Sequence, residues 1–389
     1  MRRTRFLFVG LGLVAAFVVA EIYLKYFTYK EINQVWSCYQ PDLTMYMVYK
    51  PNANCPNRRY QEYDTVPRIN NLGLRSDSNT TFEKPAGVKR ILVLGDSLVA
   101  AHEVEEKETF IKLLENKLRQ EGKYYEVLNG GIRGYSPLLS RFYLKYQGLK
   151  FEPDIVVLVV NTADVADDRR YLKYVKTDEM TGKYISLYPN WGFYFPAVNQ
   201  DKTSLFLRNK TIHVKPVIRL SSAVINLIRV NIGAVYDRWL KWPFFAEDFV
   251  EGDWRTDALA VERQAINPSS YQELMELTQD NVAAIRQAVE KRGAKFYLVL
   301  SPMGHEVSQT EWDLGRLSWG AGRGKVYPTK ALDDLGNWAK GEGIGVIDLK
   351  PRLKRAEGLK FFPKDGHLTV LGHERVFEGL WEGLKQGIN

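Results

Sequence analysis

The chain has 389 residues, 45% of them hydrophobic and 26% charged, which excludes a disordered or fibrous polypeptide and leaves room for one large or two modest globular domains. Its formal charge of +8 is mild for this length. No basic stripe with interleaved aromatics and no zinc-finger spacing accompanies that charge, so nucleic acid is not an expected partner, whereas anionic lipid and acidic glycan remain compatible with it.

At the N-terminus, Arg2, Arg3 and Arg5 precede a charge-free stretch from Phe6 to Ala20. That stretch is shorter than the ~20 residues a bilayer requires, but Glu21 and Lys25 sit where long side chains can snorkel to the interface. Ile22, Tyr23, Leu24, Tyr26 and Phe27 then prolong the apolar segment with interfacial aromatics. A signal anchor, one transmembrane helix over residues 1–27, is therefore expected, with its basic end inside and the remainder exported. The competing reading is a cleaved signal peptide, because Val18 and Ala20 resemble the small residues before a cleavage site. Export gives the only two cysteines, Cys38 and Cys55, an oxidising compartment in which to form a disulfide; two unrelated free thiols are the alternative. Two cysteines and five scattered histidines predict no metal site.

Residues 28–87, rich in Tyr, Pro, Asn and Arg, are expected as an irregular membrane-proximal collar. From Val88 the pattern changes. Ile91, Leu92, Val93 and Leu94 form a continuous apolar run, as in a strand buried on both faces. A helix with Phe110, Leu113, Leu114 and Leu118 on one side follows, then a strand in YEVLN, a helix in PLLSRFYLKYQ and a strand in PDIVVLVV. After a break come a long helix from Ser270 ended by Gly293, a strand in AKFYLVL, a helix in PTKALDDLGNWAKGEG, a strand in IGVIDL and a helix from Val370 to Lys385. Five strands with crossover helices predict an α/β fold: a three-layer α/β/α sandwich around a five-stranded parallel, flavodoxin-like sheet. The break is an insertion at about 168–268 in the domain 88–389. It carries Tyr188, Trp191, Phe193, Tyr194, Phe195, Trp239, Trp242, Phe244 and Phe245, as the core of a small subdomain or as a lid over the sheet edge. Within it, VIRLSSAVINLIRVNIGAVY has helical periodicity and is expected to dock on the sheet, the alternative being that it lies on a membrane surface.

The first strand stops abruptly at Gly95-Asp96-Ser97. A serine at the carboxyl end of a core strand is either a helix cap or a nucleophile at the ligand-binding edge. A nucleophile needs a base, an orienting acid and an oxyanion site. Near the C-terminus, Asp365 lies two residues before His367, close enough to accept from the ring's Nδ1 and direct Nε2 to a hydroxyl. His102 and His305 are rival bases, and His373, at a helix start, reads as structural.

Together these stretches resemble the SGNH/GDSL hydrolase superfamily over about residues 65 to 386. NNLGLRSD and KRILVLGDSLVA are similar to its first block, VLNGGIRGYSP to the second, PDIVVLVVNTADVADD to the third and DGHLTVLGH to the last. The resemblance implies Ser97 as nucleophile, His367 as base and Asp365 as its partner. It further implies an oxyanion hole formed by the amides of Ser97 and Gly131. The third block departs from the family pattern Gly-x-Asn-Asp: Asp164 matches, but Ala163 stands where the asparagine belongs and Asn161 where the glycine does. Either Asn161 reaches in as a donor, or the amides of Ser97 and Gly131 suffice, or a partner or substrate contributes; the plain alternative is that Asn161 caps the strand end. The expected chemistry is acyl transfer through a serine ester, with neither metal nor organic cofactor. Water as acceptor makes an esterase and a sugar hydroxyl an O-acyltransferase. Anchored members resemble envelope-polysaccharide modifiers, which implies an acylated glycan or small ester as substrate and a membrane-bound acyltransferase as partner. The alternatives are a non-catalytic glycan-binding or scaffolding protein of the same fold and a lipase acting on membrane lipids.

Overall fold

The computed structural model describes residues 12, 15–19, 38–59, 62–178, 184–187, 268–316, 321–355 and 357–388. All but the first six of these belong to one compact unit, Ser37–Pro189 with Pro243–Asn389. In chain order it contains β1 (Tyr39–Asp42), β2 (Tyr46–Tyr49), β3 (Asn57–Arg59), β4 (Tyr63–Thr65), β5 (Lys89–Leu94) and the single turn α1 (Ser97–Ala100). There follow α2 (Phe110–Gln120), β6 (Tyr125–Asn129), α3 (Pro137–Tyr146), β7 (Ile155–Val160), α4 (Thr162–Leu172), β8 (Val175–Thr177) and β9 (Tyr184–Leu187). The remainder comprises α5 (Pro268–Glu290), β10 (Lys295–Leu300), α6 (Gly304–Val307), α7 (Lys330–Gly341), β11 (Gly345–Asp348), α8 (Lys350–Arg355) and α9 (Val370–Leu384).

The central sheet is parallel throughout, in the order β11-β10-β7-β5-β6. Its strands read as unbroken apolar runs because helices cover both faces. Ile91, Val93, Val127, Val157 and Ile347 pack with Leu114 and Leu118 of α2 and Leu380 and Leu384 of α9. Their alternates, including Leu92, Leu94, Val156, Leu158 and Leu298, are equally buried on the opposite face. In this order β5 and β7 are neighbours whose connections leave in opposite directions. The carboxyl ends of those two strands therefore form the crevice in which ligands bind in such sheets. Ser97 follows β5 and Asn161 follows β7, so both stand at that crevice.

Residues 38–87, expected as an irregular collar, hold two antiparallel hairpins, β1–β2 and β3–β4. Cys38 and Cys55 are joined in a disulfide, closing a loop around the first hairpin; loops of this length restrict the unfolded chain enough to stabilise a fold by about 3 kcal/mol. Tyr135 Oη donates to the carbonyls of Met45 (2.9 Å) and Met47 (2.6 Å), fixing that hairpin against the body. Among the described residues no helix is long and apolar enough to cross a membrane. Most of the signal anchor expected over 1–27 lies outside them, residues 12 and 15–19 being helical. Residues 179–183 and 188–267 of the insertion, with all the aromatics named above, also lie outside the described residues.

Candidate active site

The turn after β5 decides which residue caps the helix that follows it. Asp96 Oδ1 accepts from Leu98 N at 2.9 Å and caps α1, so the neighbour of Ser97 does the capping. Ser97 becomes the first helical residue, with an amide in the unsatisfied first turn and an Oγ that makes no hydrogen bond among the described residues. Helix α1 ends after one turn at Ala101, whose φ of 52° turns the chain inward and carries His102 and Glu103 into the interior.

The loop before α9 supplies His367. Phe362 N donates to His367 O at 2.8 Å and Gly366 N to Phe362 O at 3.0 Å, so the loop folds back on itself and brings Asp365 beside the ring. Asp365 Oδ1 bonds His367 Nδ1 and also accepts from His367 N at 3.3 Å. This directs the ring's other nitrogen, Nε2, away from the carboxylate, where it makes no hydrogen bond among the described residues. Glu103 Oε1 stands 3.6 Å from Nδ1, and the charge of His367 is felt by Asp96, adjacent to the serine. The structure thus joins Asp365 to His367 and sets the ring close enough to the Asp96–Ser97 turn for its charge to act on Asp96. No hydrogen bond joins Ser97 Oγ to the ring.

Electrostatics suits the ring to proton transfer. Burial disfavours the imidazolium, but the carboxylates of Glu103 and Asp365 outweigh it and hold His367 above the usual histidine value despite the opposing Arg133. Burial likewise pushes Asp365 up, and the charge and hydrogen bond of His367, with Arg133 and Arg59, reverse that and hold it well below the ordinary carboxylate range.

The rival histidines have other partners. His102 is fully enclosed, its Nε2 2.8 Å from Tyr49 Oη, and burial drives it well below the usual value. His305 is buried between the rings of Trp312 and Tyr327, each centroid 5.3 Å away. His373 stacks on Phe110 and accepts from its amide at 3.4 Å; burial lowers it to about 3.

The expected oxyanion donors require one correction. Gly131 N donates to Asn129 Oδ1 at 3.0 Å, so that amide is already engaged. Glycine is needed there for another reason: a Cβ would lie 2.5 Å from Ala100 N and 2.6 Å from Val99. Three residues on, Gly134 adopts φ +76°, gives its carbonyl to Tyr171 Oη at 2.8 Å and keeps an N–H without an acceptor among the described residues. Sequence reasoning does not single it out, because the block contains three glycines and spacing does not say which amide is left unengaged.

Asn161 is 3% exposed. Its Oδ1 accepts from Ala163 N at 2.9 Å, capping α4, and its Nδ2 donates to Asp96 Oδ2 at 2.9 Å. Asp164 completes the box by accepting from Asn161 N at 2.8 Å. The side chain therefore ties the end of β7 to the turn carrying the serine. Asn161→Ala is expected to lose the cap and destabilise the protein by about 1 kcal/mol or more, while Asn161→Ser, which can still cap, recovers most of that loss. Urea unfolding of the two variants checks this; equal losses would show that the cap carries no weight.

Glu103, Asp365 and His367 place three ligand-type atoms within 4.8 Å of one another. They do not fit a cation site. Nδ1 is bonded to Asp365, Glu103 is paired with Arg133 Nη2 at 2.6 Å, and Asp365 Oδ2 is held by Arg59 Nη1 at 2.9 Å. The two guanidinium groups already supply the positive charge.

No protein-family model matches the chain, and no curated protein does. Among solved structures it is similar to TesA (15% identity, 77% of this chain and 99% of that chain, TM-score 0.37). It is also similar to the acetyl xylan esterase AlAXEase (14%, 76% and 99%, TM-score 0.38). A third is a catalytic mutant of Axe2, an acetylxylan esterase from Geobacillus stearothermophilus (10%, 76% and 94%, TM-score 0.38). At such identities and TM-scores no chemistry passes from those proteins to this chain.

Proposed function

We propose that the chain is a serine-dependent ester hydrolase or O-acyltransferase of the SGNH/GDSL type, anchored at the cell envelope and acting on an acylated glycan. One observation carries the reading. The Ser97 hydroxyl is relieved of capping by Asp96 and stands at the crevice of the parallel sheet, next to an Asp96 whose carboxyl feels the charge of the His367 that Asp365 orients.

In the proposed sequence His367 Nε2 takes the Ser97 proton as Oγ adds to the ester carbonyl. The amides of Ser97 and Gly134 receive the charge on the carbonyl oxygen. Collapse expels the alcohol, which takes the proton from His367 and leaves an acyl-serine. Water, activated by the same ring, releases the acid and makes the protein an esterase; a sugar hydroxyl in place of water makes it a transferase. Asp365 stays ionised throughout and compensates the imidazolium. The anchor rests on the basic cluster and apolar run of residues 1–27, and the glycan substrate and acyltransferase partner on the resemblance to anchored envelope enzymes.

A fluorophosphonate probe tests the serine chemistry without requiring the native substrate. Stoichiometric labelling at Ser97, lost in Ser97→Ala, is the expected result. Absence of labelling in the wild-type protein would favour a scaffolding or glycan-binding role, and labelling elsewhere would displace Ser97. Release of acetate from acetylated envelope glycans, set against transfer to an added oligosaccharide, then separates hydrolase from transferase.

A further inference from the structure

The hairpin β3–β4 precedes the α/β body in sequence yet meets the Asp365–His367 loop at several points. Arg59 Nη1 donates to Asp365 Oδ2 at 2.9 Å and Tyr63 Oη donates to the same oxygen at 2.8 Å. Glu62 Oε1 accepts from Lys364 N at 2.6 Å, and the Tyr63 ring lies edge-on to Phe362 with centroids 5.3 Å apart. At the hairpin's start Asn57 Nδ2 reaches Glu103 Oε1 at 3.3 Å. Cys55 of the disulfide lies two residues before Asn57.

We propose that this hairpin is part of the catalytic apparatus: Arg59 and Tyr63 are positioning residues that hold Asp365 Oδ2 so that Oδ1 faces His367, while Asn57 holds Glu103 as a second carboxylate beside the ring. The proposal rests on the reading of Ser97, His367 and Asp365 as a triad.

A carboxylate bound only through Oδ1 can rotate about its Cβ–Cγ bond and carry the imidazole with it. Two donors on Oδ2 from a separate element remove that freedom. Neither donor is ambiguous in its role. Arg59 has no acceptor character, and burial together with Asp365 pushes the Tyr63 phenol far above its usual value, so it stays protonated. Glu103, 1% exposed at its side chain, presents to Nδ1 the same Oε1 that Arg133 and Asn57 hold. The charged and titratable groups around the ring are therefore Asp365 on its own loop, Glu103 and His102 after α1, Asp96 before it, Arg133 after β6 and His373 on α9. Arg59, Tyr63 and Glu62 stand behind Asp365.

The test uses the full chain with Tyr63→Phe, Arg59→Gln, Arg59→Lys and Glu103→Gln. Tyr63→Phe keeps the ring on Phe362 and removes only the donor. Loss of either Asp365 donor is expected to lower kcat by roughly 10- to 100-fold with KM nearly unchanged, because the base is misplaced rather than the substrate. Arg59→Lys should recover part of the loss. The pKa of His367, followed by NMR, is expected to rise in Arg59→Gln and Tyr63→Phe, as Asp365 turns more of its charge to the ring, and to fall in Glu103→Gln. Folded Arg59→Gln and Tyr63→Phe variants with wild-type kcat and an unmoved His367 titration would overturn the proposal. The triad reading fails separately: if Ser97→Ala turns over like wild type that reading falls, while the NMR titration still reports whether the hairpin controls the ring.

Discussion

Ser97→Ala is expected to lower kcat for a short-chain p-nitrophenyl ester by roughly 10⁴-fold or more while leaving Tm within about 2 °C of wild type. The two halves of this expectation come from one arrangement. The hydroxyl makes no hydrogen bond among the described residues, so its removal orphans no partner, and Asp96 rather than Ser97 caps α1, so the helix start survives. Loss of the nucleophile, in contrast, leaves only binding and the oxyanion amides to assist the reaction. Parallel assays of turnover and thermal unfolding separate the two effects. Wild-type turnover in the variant would remove serine catalysis at this site, and a large fall in Tm would assign the hydroxyl a structural duty.

The second expected result concerns pH. His367 must be neutral to accept a proton, and Glu103 and Asp365 hold its pKa above the usual 6.5 against the effect of burial. The acid limb of kcat/KM should therefore lie above pH 6.5, activity falling as pH drops through it. Asp365→Asn removes one of the two carboxylates responsible, so the limb should move to lower pH while kcat falls by roughly 10³- to 10⁴-fold. A profile of kcat/KM from pH 5 to 9 for both proteins checks the pair, and a flat wild-type profile there would eliminate His367 as the base.

Stability follows the opposite course. The raised value of His367 contributes stability that is fully present below its unfolded pKa of 6.5 and lost as pH rises through the folded value. The depressed value of Asp365 contributes stability present above 3.8 and lost as pH falls through its folded value. The charged pair thus contributes most to folding in mildly acidic solution, below the pH at which the base is active.

Periodicity alone located the strands that became β5, β6, β7, β10 and β11 and the helices between them, because a doubly covered parallel strand needs an unbroken apolar run and a covering helix an apolar stripe. Asp365 and His367 were legible for a similarly local reason: two residues apart, they meet wherever their loop is placed. Which of the two residues caps α1 was not legible, since Asp96 and Ser97 are both good caps and only backbone geometry selects one. Nor was the difference between two glycines of the second block. Gly131 is glycine because Val99 and Ala100 press against it, whereas Gly134 leaves an N–H unengaged among the described residues, and a one-letter code records both alike.

By itself, then, the sequence determined the order of strands and helices, the adjacency of Asp365 to His367 and the position of Ser97 at a strand end, all properties of neighbours along the chain. The expected flavodoxin-like order already put β5 beside β7, as observed; only tertiary structure decided that Arg59, Tyr63 and Glu103 close around the acid and the ring from segments some 260 to 310 residues away in the chain. Contacts across such separations arise from how helices and hairpins pack on the finished sheet, and no local pattern of residue types encodes them.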